Sequence, residues 1–291
     1  MTNLEWFRVP EKIYFKKGCL PVALRELKDV YHKTKAAIIA DETAFRDNIT
    51  KSVTDLLNEL QIVYADICIS KSDDSIIKGA ETARKIKPDC IIAIGNAGVE
   101  AGKLIRVLYE NEGLTLDDLK KRTNLRDREI STLKTSADAY FIAVAASDCS
   151  GAEVDPFAMG AEDYALLPDM AIIDTDMIQM QDIRAVNTLS LSALRSSVRA
   201  FASPFTSDYA QGLAVRAIQL IFAYLPVYQA NPADMYALER LSNAVIMASM
   251  GDANVYTEDA LTENGFAAAA EASGLTEIAL REKVKELKEA Y

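Results

Sequence analysis

The chain has 291 residues, 50% of them apolar and 26% charged, which is ample material for a core and excludes a disordered polypeptide. A formal net charge of −11 with no basic run repels phosphate backbones and anionic lipid, so neither nucleic-acid nor membrane binding is expected. A single histidine, His32, leaves nearly the whole sequence without the commonest transition-metal ligand and the usual general base near neutral pH.

In chain order, apolar runs at 13–15, 36–40, 62–69 and 90–94 read as strands. They alternate with helical spacing over 20–31, 49–60, 75–86 and 99–109. Such alternation predicts a parallel sheet covered on both faces. A polar helical stretch is expected over 116–133, followed by strands at 139–145 and 170–173. Beyond Met177 the spacing is helical only, over 189–200, 212–223, 235–250, 258–271 and 275–290. The expected fold is α/β, with a Rossmann-like parallel-sheet domain over 1–177 and a shortened all-helical domain over 178–291.

No run of about 18 uncharged apolar residues is present, so no spanning helix is expected. The start of the chain, with Glu5, Trp6 and Arg8, does not read as a signal peptide. Cys68 and Cys90 lie inside apolar runs and are expected to be buried; with Cys19 and Cys149 they form no C-x-x-C pair. These features predict a reducing, cytoplasmic setting without zinc or a disulfide framework.

The segment Gly95-Asn96-Ala97-Gly98 follows an apolar strand and opens a helix that carries Lys103. A glycine-bearing turn there suits a pyrophosphate, because backbone N–H groups and the helix dipole point at it; it also suits an ordinary β–α turn. Asp41 ends the second predicted strand, where a carboxylate either bonds an adenosine ribose or caps the following helix. Lys103 either approaches a phosphate or decorates a helix face. Cys149 reads as a small packed thiol or, with less support, as a nucleophile on a helix start, since no histidine is at hand to activate it.

The order of motifs resembles the iron-containing alcohol dehydrogenases, and within them the alcohol-dehydrogenase half of bifunctional aldehyde-alcohol dehydrogenases. The segments that carry the likeness are 13–21 (IYFKKGCLP), 38–41 (IIAD), 87–89 (KPD), 153–158 (EVDPFA) and 163–172 (DYALLPDMAI). It covers roughly residues 4–254. The resemblance implies that family's fold, a first domain that binds NAD or NADP, and a helical second domain that holds a divalent metal for hydride transfer between alcohol and aldehyde. It assigns Asp41, Gly95, Asn96, Ala97, Gly98, Lys103, Ser147 and Ser150 to the cofactor side.

The departures bear on function as much as the matches do. The family's glycine-rich G-G-G-S-x-x-D-x-x-K becomes a segment one residue shorter, with Ala97 in place of a glycine and Glu100 in place of the acid. Its T-T-S-G-T-G-S-E becomes residues 146–153, ASDCSGAE, which places Asp148 where hydroxyls would face phosphate; like charge there should weaken dinucleotide binding. The family's aspartate and histidine metal ligands, four apart on one helix, fall at Ser192 and Ser196, with Arg195 between them. Neutral hydroxyls do not replace a carboxylate and an imidazole on a divalent iron.

No iron or zinc is therefore expected, and NAD remains the one cofactor the motifs allow. The leading expectation is a catalytically inactive homologue with a partner-binding or scaffolding role, as a homodimer or in a hetero-oligomer with a complete aldehyde or alcohol dehydrogenase. The alternatives are a non-catalytic NAD or nucleotide module and a metal-independent NAD-dependent oxidoreductase.

Overall fold

A computed structural model describes residues 6–122, 131–135, 139–178, 183–204, 206–255 and 263–289. They form two compact units: Pro10–Gln179, and Met1–Val9 with Met180–Tyr291. In the first unit the order is β1 (Lys12–Phe15), α1 (Leu20–Asp29), β2 (Lys35–Asp41), α2 (Glu42–Arg46), α3 (Lys51–Glu59), β3 (Val63–Ile69), α4 (Asp73–Ile86), β4 (Cys90–Ile94), α5 (Gly95–Glu110) and α6 (Leu116–Lys120). It continues with β5 (Tyr140–Val144), β6 (Phe157–Ala158), β7 (Ala161–Glu162) and β8 (Met170–Ile173).

Six strands make one wholly parallel sheet in the order β1-β8-β5-β4-β2-β3, and β6 and β7 form a separate small antiparallel pair. All residues of β4, β5 and β8 are buried, which explains why these strands read as continuous apolar runs rather than alternating ones. One face of the sheet packs on α1, α2 and α3 through Leu24, Leu27, Ala44, Val53 and Leu57. The other packs on α4, α5 and α6 through Ile76, Ala80, Leu104, Ile105 and Leu119.

The chain leaves β2 through α3 on one face and leaves the adjacent β4 through α5 on the other. The strand order therefore reverses between β2 and β4. This reversal opens a crevice at their C-terminal ends, where open α/β sheets bind ligands.

Three sequence expectations are corrected in this unit. The helix expected over 116–133 ends at Lys120; residues 123–130 lie outside the described part, and 131–135 are not helical. Cys68 is exposed, because β3 is the sheet's edge strand and the outward positions of its C-terminal half face solvent. Helix α5 starts at Gly95 rather than 99: Gly95 adopts φ +72°, so strand turns into helix at one residue and no loop intervenes.

The second unit contains α7 (Ile183–Ala202), α8 (Asp208–Ala230), α9 (Met235–Ala253), α10 (Glu263–Ala272) and α11 (Glu277–Glu289). Helices α7, α8 and α9 pack on one another, and α10 and α11 pack on α7. The helix expected over 258–271 is described only from 263. Helix α8 is, by length and composition, long and apolar enough to cross a membrane; Ala214, Ile218, Ile221 and Leu225 are among its buried residues. Asn254 ties the N-terminal segment to this unit: the Arg8 N–H donates to its Oδ1 (2.6 Å), and its Nδ2 donates to the Arg8 carbonyl (2.9 Å).

Candidate functional site

The crevice at the strand-order reversal gathers most of the residues expected on the cofactor side. Asp41 ends β2, while Gly95, Asn96, Ala97 and Gly98 form the first turn of α5 directly after β4. Ser147 and Ser150 lie in the segment that follows β5, the strand paired with β4. Asp41 makes the capping interaction: its Oδ1 accepts the Ala44 N–H at 2.8 Å and starts α2.

Helix α5 begins after Ile94, which has no side chain to cap it, so the first-turn N–H groups receive no side-chain acceptor there. Gly98 owes its identity to packing. A Cβ on it would stand 2.7 Å from the Ile39 carbonyl oxygen, so α5 rests against the backbone at the end of β2. The Ser150 hydroxyl donates to Asn96 Oδ1 at 3.1 Å and holds the β5 segment to the start of α5. Ser147 has φ +66°, and its N–H donates to the Met177 carbonyl at 2.9 Å.

Lys103 does not belong with these residues, and both readings of it are corrected. Its side chain is fully buried, and its ammonium donates to Asp155 Oδ1 (2.7 Å), the Asp155 carbonyl (2.7 Å) and the Phe157 carbonyl (2.9 Å). Three donors meet three acceptors, so none is left for a phosphate. The sequence carried a sign of this burial, since Val99, Lys103 and Arg106 share one face of α5 with the apolar residues. Arg106 is buried too and donates to the Ala165 carbonyl (2.9 Å) beside Asp169.

The segment after β5 carries two acids, Asp148 half-buried and Glu153 fully buried, while Ser147 is exposed. Burial pushes the Asp148 carboxyl above its usual range, and Lys71, a cation that sequence reasoning overlooked, opposes this. Glu153 is fully buried; one oxygen accepts the Gly151 N–H at 2.9 Å and the other has no hydrogen-bond partner among the described residues. Burial raises its carboxyl to about 7, with Asp148 adding to the rise and Lys103 opposing it. Cys149 is wholly buried, and burial first, then Glu153 and Asp148, push its thiol far up. A nucleophile needs the thiolate and access, and Cys149 has neither.

The helical unit carries the two positions where the resemblance puts metal ligands. Ser192 is exposed on α7. The Ser196 hydroxyl donates to Asp252 Oδ2 of α9 at 3.0 Å. Arg199, one turn further along α7, donates from Nε to Asp252 Oδ1 at 2.5 Å and also pairs with Oδ2 through its other nitrogen. A cation at Ser196 would meet a neutral hydroxyl and a carboxylate already held at both oxygens by a guanidinium. These residues do not fit a divalent iron. Among the described residues no three His, Cys, Asp or Glu side chains cluster as a metal site would require.

A doubly wound parallel sheet with its crevice at the strand-order reversal, followed by a helical unit, defines a dehydrogenase-type scaffold. The family model "Iron-containing alcohol dehydrogenase" matches residues 10–175. The aldehyde-alcohol dehydrogenase of Clostridium acetobutylicum is 34% identical over 270 residues, which cover 87% of this chain and 31% of that protein. Among solved structures, the alcohol dehydrogenase from Oenococcus oeni superposes with a TM-score of 0.80 at 16% identity, over 98% of this chain and 86% of that one. A sulfoacetaldehyde reductase from Bifidobacterium kashiwanohense, solved with NAD+, gives 0.78 at 15% identity, over 98% and 85%. This chain belongs to the iron-containing alcohol dehydrogenase family. It spans about a third of the length of the curated relatives that match it first.

Proposed function

We propose that the chain is a metal-free, catalytically silent member of its family that works by holding a partner, either a second copy or a complete aldehyde or alcohol dehydrogenase. The observation that carries this reading is the closure of Asp252 by Ser196 and Arg199. An ion pair between α7 and α9 stands beside Ser196, one of the two positions where the resemblance puts a metal ligand. Hydride transfer to a carbonyl needs an acid to polarise the oxygen, which the family's metal would supply.

The test combines assembly with turnover. Size-exclusion chromatography with light scattering, run alone and with a full-length aldehyde-alcohol dehydrogenase, should give a dimer or a co-eluting complex. Alcohol-dependent reduction of NAD or NADP should stay at background when ferrous iron is supplied. A strict monomer that never co-elutes, or iron-dependent turnover, contradicts the reading.

The crevice favours a second reading, a non-catalytic dinucleotide site. Its supports are the uncapped first turn of α5 and the nearness of Asp41 across the strand reversal. Asp148 works against it by like charge. Thermal stabilisation that grows with NAD concentration supports this reading, since a ligand must prefer the folded state to stabilise it; a flat response with NAD, NADP and ADP-ribose removes it.

A further inference from the structure

Strand β3 closes the sheet on one side and pairs only with β2 among the described residues, in unbroken register from Val63 to Ile69. The Val63 N–H donates to the Thr34 carbonyl, so the odd-numbered residues of β3 turn their backbone groups toward β2. Tyr64, Asp66 and Cys68 turn theirs outward, and no backbone partner meets them among the described residues. Such a row of open donors and acceptors is a template for another strand. Proline, lysine or a bulge guards many natural edges; β3, VYADICI, has none of these. Val63 is 63% exposed, and Cys68 is exposed with it.

Helix α4, which packs on β3, carries a matching signature. Its buried side is Ile76, Gly79, Ala80 and Ala83. Asp74, Ile77, Lys78, Glu81 and Lys85 are exposed and share the opposite face. The charges on this helix are segregated. Asp73 and Asp74 occupy its first turn, Arg84 and Lys85 its last, and Lys87 follows. Asp73 is taken by Lys120, and Arg84 donates to the Leu108 carbonyl. Asp74 and Lys85 remain as opposite charges without an ion-pair partner among the described residues. A helix polarised in this way complements itself when turned end for end.

We propose that β3 and α4 form a two-fold interface with a second copy of this chain. Strand β3 lies antiparallel against β3 of the other copy and joins the two sheets, while α4 lies beside its counterpart with Asp74 facing Lys85 in both directions. This inference rests on the reading that the chain works by holding a partner, and it names both the partner and the face. A two-fold contact is closed, so assembly through it stops at a dimer. It sets even-numbered residues of β3 opposite even-numbered ones, which brings the two outward rows together. A centre on Asp66 would oppose two carboxylates, whereas a centre on Ile67 sets Asp66 opposite Cys68 of the second copy and avoids that repulsion.

Light scattering and sedimentation of the full chain, joined with hydrogen exchange read by NMR, test the interface. The unaltered chain should dimerise, and exchange at the Asp66 and Cys68 amides should slow about tenfold or more at concentrations where it does. Asp74→Lys or Lys85→Asp alone sets like charges opposite one another and should raise the dissociation constant about tenfold; the two together should restore it to within about threefold. A dimer in which those amides exchange as in the dilute monomer, or one that both single substitutions leave unchanged, overturns this interface and leaves the partner-holding reading standing. A chain that stays monomeric at every concentration overturns the interface as well, and co-elution with a dehydrogenase then decides the broader reading alone.

Discussion

The sheet crevice and the α7–α9 face differ in what holds them: backbone geometry in the first, a few side-chain partners in the second. At the crevice the architecture persists: β2 and β4 still part company at Asp41 and Gly95, and α5 still springs from the strand end. On the α7–α9 face, Ser196 and Arg199 of α7 engage Asp252 of α9, and serines stand at the two positions where the resemblance puts metal ligands. The difference follows from what each task demands. Backbone geometry at a strand-order reversal survives many side-chain changes, because strand pairing and core packing enforce it. A metal site depends on the identity of a few donors and is lost when one or two of them change.

Substitutions can break that contrast from either side. The largest effect is expected within the α/β unit, at Lys103→Met. It removes the cation paired with the Asp155 carboxylate and the donor to two carbonyls, so urea denaturation should show a loss of about 3–5 kcal/mol. A loss of only a few tenths would show that the buried ammonium is not a structural clamp.

Next in size is the pH response of Glu153. Its carboxyl titrates at about 7 in the folded chain against 4.5 when unperturbed, so the folded state retains a proton that the unfolded state releases. Stability is therefore full below about pH 4.5 and declines as the pH rises toward 7, by up to a few kcal/mol, levelling off above that. Glu153→Gln should flatten this part of the profile in denaturation series; an unchanged slope would assign the effect to another group.

A smaller effect is expected at Gly98→Ala, where the new Cβ meets the Ile39 carbonyl oxygen and α5 must shift; roughly 1–3 kcal/mol should be lost. The smallest belongs to the helical unit. Arg199 is 44% exposed, so solvent screens its pairing with Asp252, and Arg199→Ala should cost about 1 kcal/mol or less. A much larger loss would mean that the ion pair bears the packing of α7 on α9 to a degree its exposure does not suggest.

Much of the α/β unit could be read from local pattern. Fully buried parallel strands announce themselves as unbroken apolar runs, and 90–94 and 170–173 coincide with β4 and β8 to the residue. Edges and ends were harder. Cys68 sits in an apolar run like Cys90, but only the sheet order puts it on an open edge. The two-residue strands β6 and β7 are too short to carry a period. The start of α5 is hidden in the sequence because glycine reads as a turn, whereas Gly95 supplies one positive φ and the helix follows at once.

Within the site, the residues flanking the crevice were legible from their places at strand ends. The partners that decide their chemistry were not, since Asp155 lies 52 residues from Lys103 and Asp252 lies 53 from Arg199. Nothing in local sequence links such pairs. What the sequence did hold was the substitution at Ser192 and Ser196, an observation that needs no fold to read, only the resemblance that marks those two positions.

The most direct test of the central claim is metal content. The purified, tag-free chain, incubated anaerobically with ferrous iron or zinc and then dialysed, should retain far less than one ion per chain by elemental analysis. Close to one ion per chain, lost when Ser196 or Asp252 is replaced by alanine, would show that this face still holds a metal and would contradict the account.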